Sequence, residues 1–168
     1  QAAADLEYVY EALRLTRRAL PGDIPLIGFA GAPFTLASYA IEGGGSRTFT
    51  HTKRFMYRES AAWHRLLTRL VDTLIAYLQH QVVAGANAVQ LFDSWVGELS
   101  RADYREYVHP HMLRLIDSLP GGVPVILFGT RTAHLLDLQA ATGADVIGLD
   151  HAVDLADGWR CCGGPAQV

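Results

Sequence analysis

The sequence predicts an α/β fold in which buried parallel strands alternate with helices. Four short apolar runs rich in β-branched residues read as strands, at 25–30, 88–92, 123–128 and 145–149. None of them alternates cleanly between apolar and polar residues, which is typical of strands covered on both faces in a parallel sheet. Helical patterns precede and separate these runs: the first lies at 5–20, and the longest, at 60–84, places its leucines and valines along one stripe.

Residue types that favour helix ends support these boundaries. Gly85 and Gly143 each follow a helical pattern, at the position where a left-handed residue commonly closes a helix. Ser100 is predicted to cap the helix that follows it, with Asp103 as a shorter relative of the capping-box glutamate. Pro110 is expected to kink that helix because proline lacks a backbone donor.

A repeated segment points to the kind of sheet. Residues 85–93, GANAVQLFD, and 143–150, GADVIGLD, each combine a helix-ending glycine, a buried strand and an acid at the strand's C-terminal end. Repeated βα units with acids at that rim predict a (β/α)8 barrel, although a doubly wound sheet would give a similar pattern. Because the barrel closes with eight strands and this chain shows four, and its 168 residues fall well short of the typical ~250, we expect half of the sheet to be unaccounted for.

Composition indicates one globular domain that handles small molecules. The chain is 50% hydrophobic and 18% charged with a net charge of -3, so nothing favours nucleic acid or an anionic membrane as a partner. No apolar run reaches the roughly 18 residues of a membrane span, and the first residues lack a leader pattern, which predicts a cytoplasmic protein. Cys161 and Cys162 are adjacent and are expected to be structural rather than metal ligands or a disulfide.

Four sequence blocks resemble the uroporphyrinogen decarboxylase family, in the family's order. They are PLIGFAGAPFTLASYAIEGGGS at 25–46, VQLFDSWVGELS at 89–100, PVILFG at 124–129 and GADVIGLD at 143–150. The resemblance implies an incomplete (β/α)8 TIM barrel, with the third to sixth βα units in a partial domain at 1–168 that lacks the N-terminal and C-terminal barrel segments. It also implies a carboxy-lyase that works as a homodimer without metal or organic cofactor and converts uroporphyrinogen to coproporphyrinogen by removing four acetate carboxyl groups as carbon dioxide.

The resemblance assigns substrate contacts to three residues of this chain. Tyr39 matches a tyrosine that hydrogen-bonds a substrate carboxylate, Ser94 matches a substrate-contacting serine, and Phe29 matches an aromatic part of the porphyrinogen pocket. The family's paired arginines, central aspartate and substrate-binding histidine match no position in residues 1–168. No catalytic residue is therefore assigned within this chain, and the chain alone is expected to be inactive.

Several other polar residues are expected to have structural roles. Asp93 and Asp150 follow strands and are predicted to anchor loop amides. The glycines at 43–45, followed by Arg47, lack the ending of a phosphate-binding loop and are interpreted as a flexible lid near the pocket. The histidines at 109–111 flank a proline in a spacing unsuited to sharing a metal on one helix face, and are expected at the surface.

Two alternatives to a decarboxylase stay open from sequence. The first is a cobalamin-dependent methyltransferase of the same superfamily, whose zinc is held by a His-x-Cys pair after the fifth strand, where this chain has FGTR at 128–131. The second is a truncated, non-catalytic half-barrel. Arg131, where bacterial family members usually have glycine, and His151, where tryptophan is common, depart from the family pattern in the rim loops.

Overall fold

The computed structural model describes residues 4–163, and it contains four parallel strands in one sheet. The strands pair in chain order, β1-β2-β3-β4, each in parallel with the next. Their bounds are Ile27–Gly31 (β1), Ala88–Asp93 (β2), Val125–Gly129 (β3) and Val146–Gly148 (β4). The predicted α/β class, the four strands and their parallel direction are confirmed, and the arrangement is consistent with part of a barrel.

Helices connect the strands and lie along the sheet. They are Glu7–Ala19 (α1), Pro33–Glu42 (α2), Thr50–Arg58 (α3), Ser60–Val83 (α4), Arg101–Asp103 (α5), His109–Asp117 (α6), Leu136–Ala140 (α7) and Leu155–Cys161 (α8). Helix α7 is short, because the residues just before it, 133–135, form turns. Among residues 4–163, no helix combines the length and apolar character needed to cross a membrane.

The sheet has two unlike faces. Residues facing the helices are buried, as the alternating burial along β2 and β3 shows. The other face is left accessible, with Ile27 46% and Phe29 61% exposed on β1. Strand alternation therefore directs Phe92 toward the accessible face and the next residue, Asp93, into the helix layer.

Helix α4 supplies much of the core between helices and sheet. Its fully or largely buried apolar residues recur every three or four positions, which places them on one face: Trp63, Leu67, Val71, Leu74 and Leu78. Gln81 continues this stripe with a polar function, because its side-chain amide donates to the Phe29 carbonyl and accepts from the Phe29 amide, both at 2.9 Å. These two hydrogen bonds fix α4 to the backbone of β1.

The predicted helix ends are largely confirmed. Gly85 and Gly143 have φ of 113° and 84°, the left-handed conformation that glycine adopts without steric cost. Ser100 caps α5 by accepting from the Asp103 amide, but the Asp103 carboxylate accepts from the Ser100 hydroxyl instead of completing a capping box through the backbone. A π-helical turn at Tyr104–Val108 precedes Pro110, so the expected distortion is confirmed in the turn before the proline.

Candidate functional site

Phe29 begins an aromatic row across the accessible face of the sheet. Its ring meets the edge of Phe92 at a centroid distance of 5.9 Å, and Phe92 meets Phe128 in the same way at 6.1 Å. The register pairs Phe92 with Phe128 and places Phe29 diagonally on the neighbouring strand. Three strands thus share one apolar wall that a flat hydrophobic ligand could cover.

Tyr39 and Ser94 lie at the C-terminal ends of the strands, next to this wall. Tyr39 is on α2, is 46% exposed, and packs edge-on against Trp95 with ring centroids 5.9 Å apart. Ser94 immediately precedes that tryptophan, and its backbone carbonyl accepts from the Thr130 hydroxyl at 2.5 Å. The structure therefore brings Tyr39 and Ser94 to one rim, with Phe29 on the wall that leads to it.

A cavity of about 350 Å³ opens beside Ser94. Three loops line it, one following each of α2, β2 and β3, and the lining residues are Ser46, Arg47, Phe49, Ser94, Trp95, Gly97, Glu98, Thr130 and Arg131. Gly97 allows the β2 and β3 loops to approach, because a Cβ at this position would lie 2.2 Å from the Thr130 carbonyl oxygen.

Asp93 is buried beneath the rim on the helix side of the sheet. Its carboxyl oxygen accepts from the Thr35 hydroxyl at 2.9 Å, near the start of α2, whose N-cap residue Ala32 has no side-chain acceptor. Burial raises the pKa of Asp93 to about 7, although hydrogen bonds from Thr35 lower it. Tyr104 is also fully buried nearby, and its pKa is raised by burial and by Asp93.

Asp93 has a structural role, as expected, but it accepts from a helix side chain and not from the predicted loop amides. This carboxyl group bonds Thr35 on a helix and points away from the pocket, because strand alternation turns it into the core. Thr35 in turn accepts from the Trp95 amide at 3.3 Å, so it joins α2 to the loop that carries Ser94. Neither Thr35 nor Trp95 was indicated by sequence reasoning, although Trp95 adjoins Ser94 in the chain.

Asp150 anchors loop amides as predicted. Its two carboxylate oxygens accept from the Arg131 amide at 2.6 Å and the Ala152 amide at 3.0 Å. The Arg131 hydrogen bond is the main reason that the pKa of Asp150 is lowered. Arg131 has φ of 57°, in the left-handed region that glycine adopts with less steric cost than arginine.

The loop that carries Arg47 is held at both ends. Gly43 closes α2 in the left-handed conformation, and Glu42 accepts from both the amide and the hydroxyl of Thr52 at the start of α3. Within the loop, the Ser46 hydroxyl accepts from the amide of Phe49, which is 1% exposed. The loop borders the cavity, and its action as a flexible lid stays a prediction.

The expected surface position of the histidines at 109–111 is wrong. His111 is only 8% exposed, and its Nε2 lies 2.9 Å from Nδ1 of His64 on α4. Burial, then His64 and Arg114, lower the pKa of His111 to about 4. The π-helical turn and helix packing turn this imidazole inward, which the local sequence did not indicate.

The remaining polar groups do not form a metal centre in the part of the chain that the structure describes. Between residues 4 and 163, no three or more histidine, cysteine, aspartate or glutamate side chains are grouped for a metal ion. Cys161 is exposed and Cys162 is buried, and both are free thiols. Burial raises the pKa of the Cys162 thiol.

Comparison with known proteins gives the family. The family model described as uroporphyrinogen decarboxylase (URO-D) matches residues 1–166. The uroporphyrinogen decarboxylase of Carboxydothermus hydrogenoformans is 52% identical over 160 residues, which cover 95% of this chain and 46% of the relative. That of Thermus thermophilus is 56% identical over 149 residues, covering 88% of this chain and 43% of the relative. The chain spans less than half the length of these relatives.

A solved structure supports the fold independently. A methyltransferase from Methanosarcina mazei superposes with a TM-score of 0.81, covering 92% of this chain and 45% of that one, at 19% sequence identity. At this identity the likeness concerns the fold alone. The family model and the two relatives, which match nearly all of the sequence, show that this chain belongs to the uroporphyrinogen decarboxylase family.

Proposed function

We propose that this chain is the central part of an enzyme that decarboxylates uroporphyrinogen to coproporphyrinogen. The reaction removes the four acetate carboxyl groups as carbon dioxide. Protonation of an electron-rich pyrrole carbon gives a cation that accepts the electrons of the breaking bond, and the methylene that results is then protonated to a methyl group. In this proposal no metal or organic cofactor takes part, and the whole enzyme is a cytoplasmic homodimer.

The residues of this chain would bind and orient the macrocycle. The aromatic row of Phe29, Phe92 and Phe128 offers an apolar surface for the pyrrole rings. The Tyr39 phenol and the Ser94 hydroxyl at the rim can donate hydrogen bonds to carboxylates. The observation that carries the proposal is that one rim unites both hydroxyl side chains with the apolar wall, in a chain of this family.

The acid–base chemistry is assigned to residues beyond this chain. Asp93 has a raised pKa, but it faces the helix layer and bonds Thr35, so we do not give it a role in proton transfer to substrate. Asp150 is held by two loop amides and its pKa is lowered, which suits a structural anchor. Electrostatic stabilisation of the developing cation would therefore come from segments outside residues 1–168.

The test joins the chain to the flanking segments of its 52% identical relative, to give what is called the completed chain. We expect the completed chain to convert uroporphyrinogen to coproporphyrinogen without added metal or cobalamin, and residues 1–168 alone to show no turnover. A matched chimera with Tyr39→Phe and Ser94→Ala together is the control. The proposal would be overturned if the completed chain folds and forms a dimer but does not decarboxylate uroporphyrinogen. A requirement for zinc or a methyl donor would also overturn it.

A further inference from the structure

The cavity beside Ser94 has a positively charged lining, for which the neutral hydroxyl groups of Tyr39 and Ser94 do not account. Its volume is about 350 Å³, and two of its lining residues are arginines, Arg47 and Arg131, against one acid, Glu98. Arg131 is already paired, because its guanidinium lies 2.8 Å from the Glu98 carboxylate. One positive charge in the lining is therefore left without a counter-charge.

That charge belongs to Arg47. Within residues 4–163, the Arg47 guanidinium has neither an ion pair nor a hydrogen bond to a protein group, although seven other ion pairs form there. Exposed arginines often lack a partner, so this alone assigns nothing. The position of Arg47 in the wall of a formed cavity is what distinguishes it.

The surrounding loop holds Arg47 at the cavity. Two residues after Arg47, Phe49 is buried and the centroid of its ring lies 5.3 Å from that of Trp95. Trp95 also contacts Tyr39, so the phenol and the guanidinium are carried by segments that pack on the same indole. Trp95 itself lines the cavity, so it links the segment of Tyr39 to the wall that contains Arg47.

We propose that this cavity is a subsite for one carboxylate arm of the substrate, bound by Arg47. The proposal rests on the proposed function, which supplies a ligand with eight carboxylate groups around its ring. A guanidinium gives a carboxylate a charge-assisted and directional partner, whereas Tyr39 and Ser94 offer neutral donors. The Arg131–Glu98 pair also lines the cavity and is neutral as a pair, so the net charge of the lining residues is positive.

The experiment compares three single variants of the completed chain. Arg47→Gln removes the charge, Arg47→Lys keeps it, and Arg69→Gln removes an equal charge from the exposed outer face of α4 as the matched control. We expect Arg47→Gln to raise KM for uroporphyrinogen about tenfold with kcat within about twofold. Arg47→Lys should recover most of the loss, and the effect should shrink with added salt.

The outcomes distinguish a failure of the Arg47 subsite from a failure of the proposed function. If the unmodified completed chain decarboxylates uroporphyrinogen while Arg47→Gln and Arg69→Gln give the same KM, the subsite is wrong and the function stands. If the unmodified completed chain is inactive, the proposed function fails and the subsite fails with it. Because Arg47 is exposed, thermal melting of Arg47→Gln should match that of Arg69→Gln, and a lower melting point would assign Arg47 a structural role instead.

Discussion

The Asp93 carboxyl group and the Thr35 hydroxyl meet in a buried hydrogen bond of 2.9 Å that joins the end of β2 to the first turn of α2. Both residues are less than 5% exposed. Through the same hydroxyl, Thr35 accepts from the Trp95 amide, and Trp95 packs on Tyr39. The buried Asp93–Thr35 hydrogen bond is therefore connected to the rim residue Tyr39 through Trp95.

Asp93→Asn is expected to raise stability at neutral and alkaline pH. The pKa of Asp93 is about 7 in the folded protein and about 3.8 when exposed, so between these values the folded state binds more protons than the unfolded state. Stability therefore falls as pH rises through this window and stays reduced above it. Asparagine keeps an oxygen acceptor for Thr35 and carries no charge.

The measurement is urea unfolding of the completed chain from pH 4 to 8. The difference in unfolding free energy between Asp93→Asn and wild type should shift in favour of the variant by on the order of 2 kcal/mol from pH 4 to pH 8. A constant difference at every pH would show that the Asp93 carboxyl group is ionised in the folded protein.

His111 is expected to lower stability in acid. Its pKa is about 4 in the folded protein, below its unfolded value of 6.5, so the unfolded state binds more protons between these values. Stability contributed by neutral His111 is complete above about pH 6.5 and is lost as pH falls toward 4, by on the order of 2 kcal/mol. His111→Gln should lack this loss, and proton NMR of the His111 ring should show a titration midpoint near 4; a midpoint near 6.5 would contradict the buried contact with His64.

Gly97→Ala is expected to separate the loops that border the cavity. A Cβ at Gly97 would lie 2.2 Å from the Thr130 carbonyl oxygen and 2.7 Å from that of Arg131, and backbone must move to relieve this overlap. We expect a loss of about 1–3 kcal/mol in unfolding free energy and weaker product binding. Gly44→Ala is the control, since nothing lies within 4 Å of a Cβ there. Equal stability of the two variants would mean that the loops are farther apart than described.

Tyr39→Phe is expected to reduce decarboxylation with little change in stability. The phenol is at the rim and its ring keeps the contact with Trp95 when the hydroxyl is removed. Loss of one hydrogen bond to a charged carboxylate should remove about 1.5–3 kcal/mol of transition-state stabilisation, which is measured as a lower kcat/KM. Ser94→Ala should have a milder effect, because water can replace a neutral hydroxyl at an open rim. Steady-state kinetics and melting temperatures of both variants test the order; unchanged kinetics in Tyr39→Phe would remove it from the site.

The sequence by itself determined the class of fold, the number of its strands and its family. The β-branched runs and helix-ending glycines are local signals, because the backbone conformation that they favour depends on residues close in sequence. Gly85 and Gly143 were predicted to be left-handed from their place after a helical pattern, and both are. Tyr39, Ser94 and Phe29 were identified through long sequence blocks, and their roles stay proposals.

Only the tertiary structure decided which side chains meet. Thr35 and Asp93 are 58 residues apart, His64 and His111 are 47 apart, and Gln81 bonds the backbone of β1 from 52 residues away. No local pattern encodes such contacts, because they depend on how α2, α4 and α6 are placed against the sheet. Burial then changed the chemistry of Asp93 and His111, since a charge is costly wherever packing excludes water.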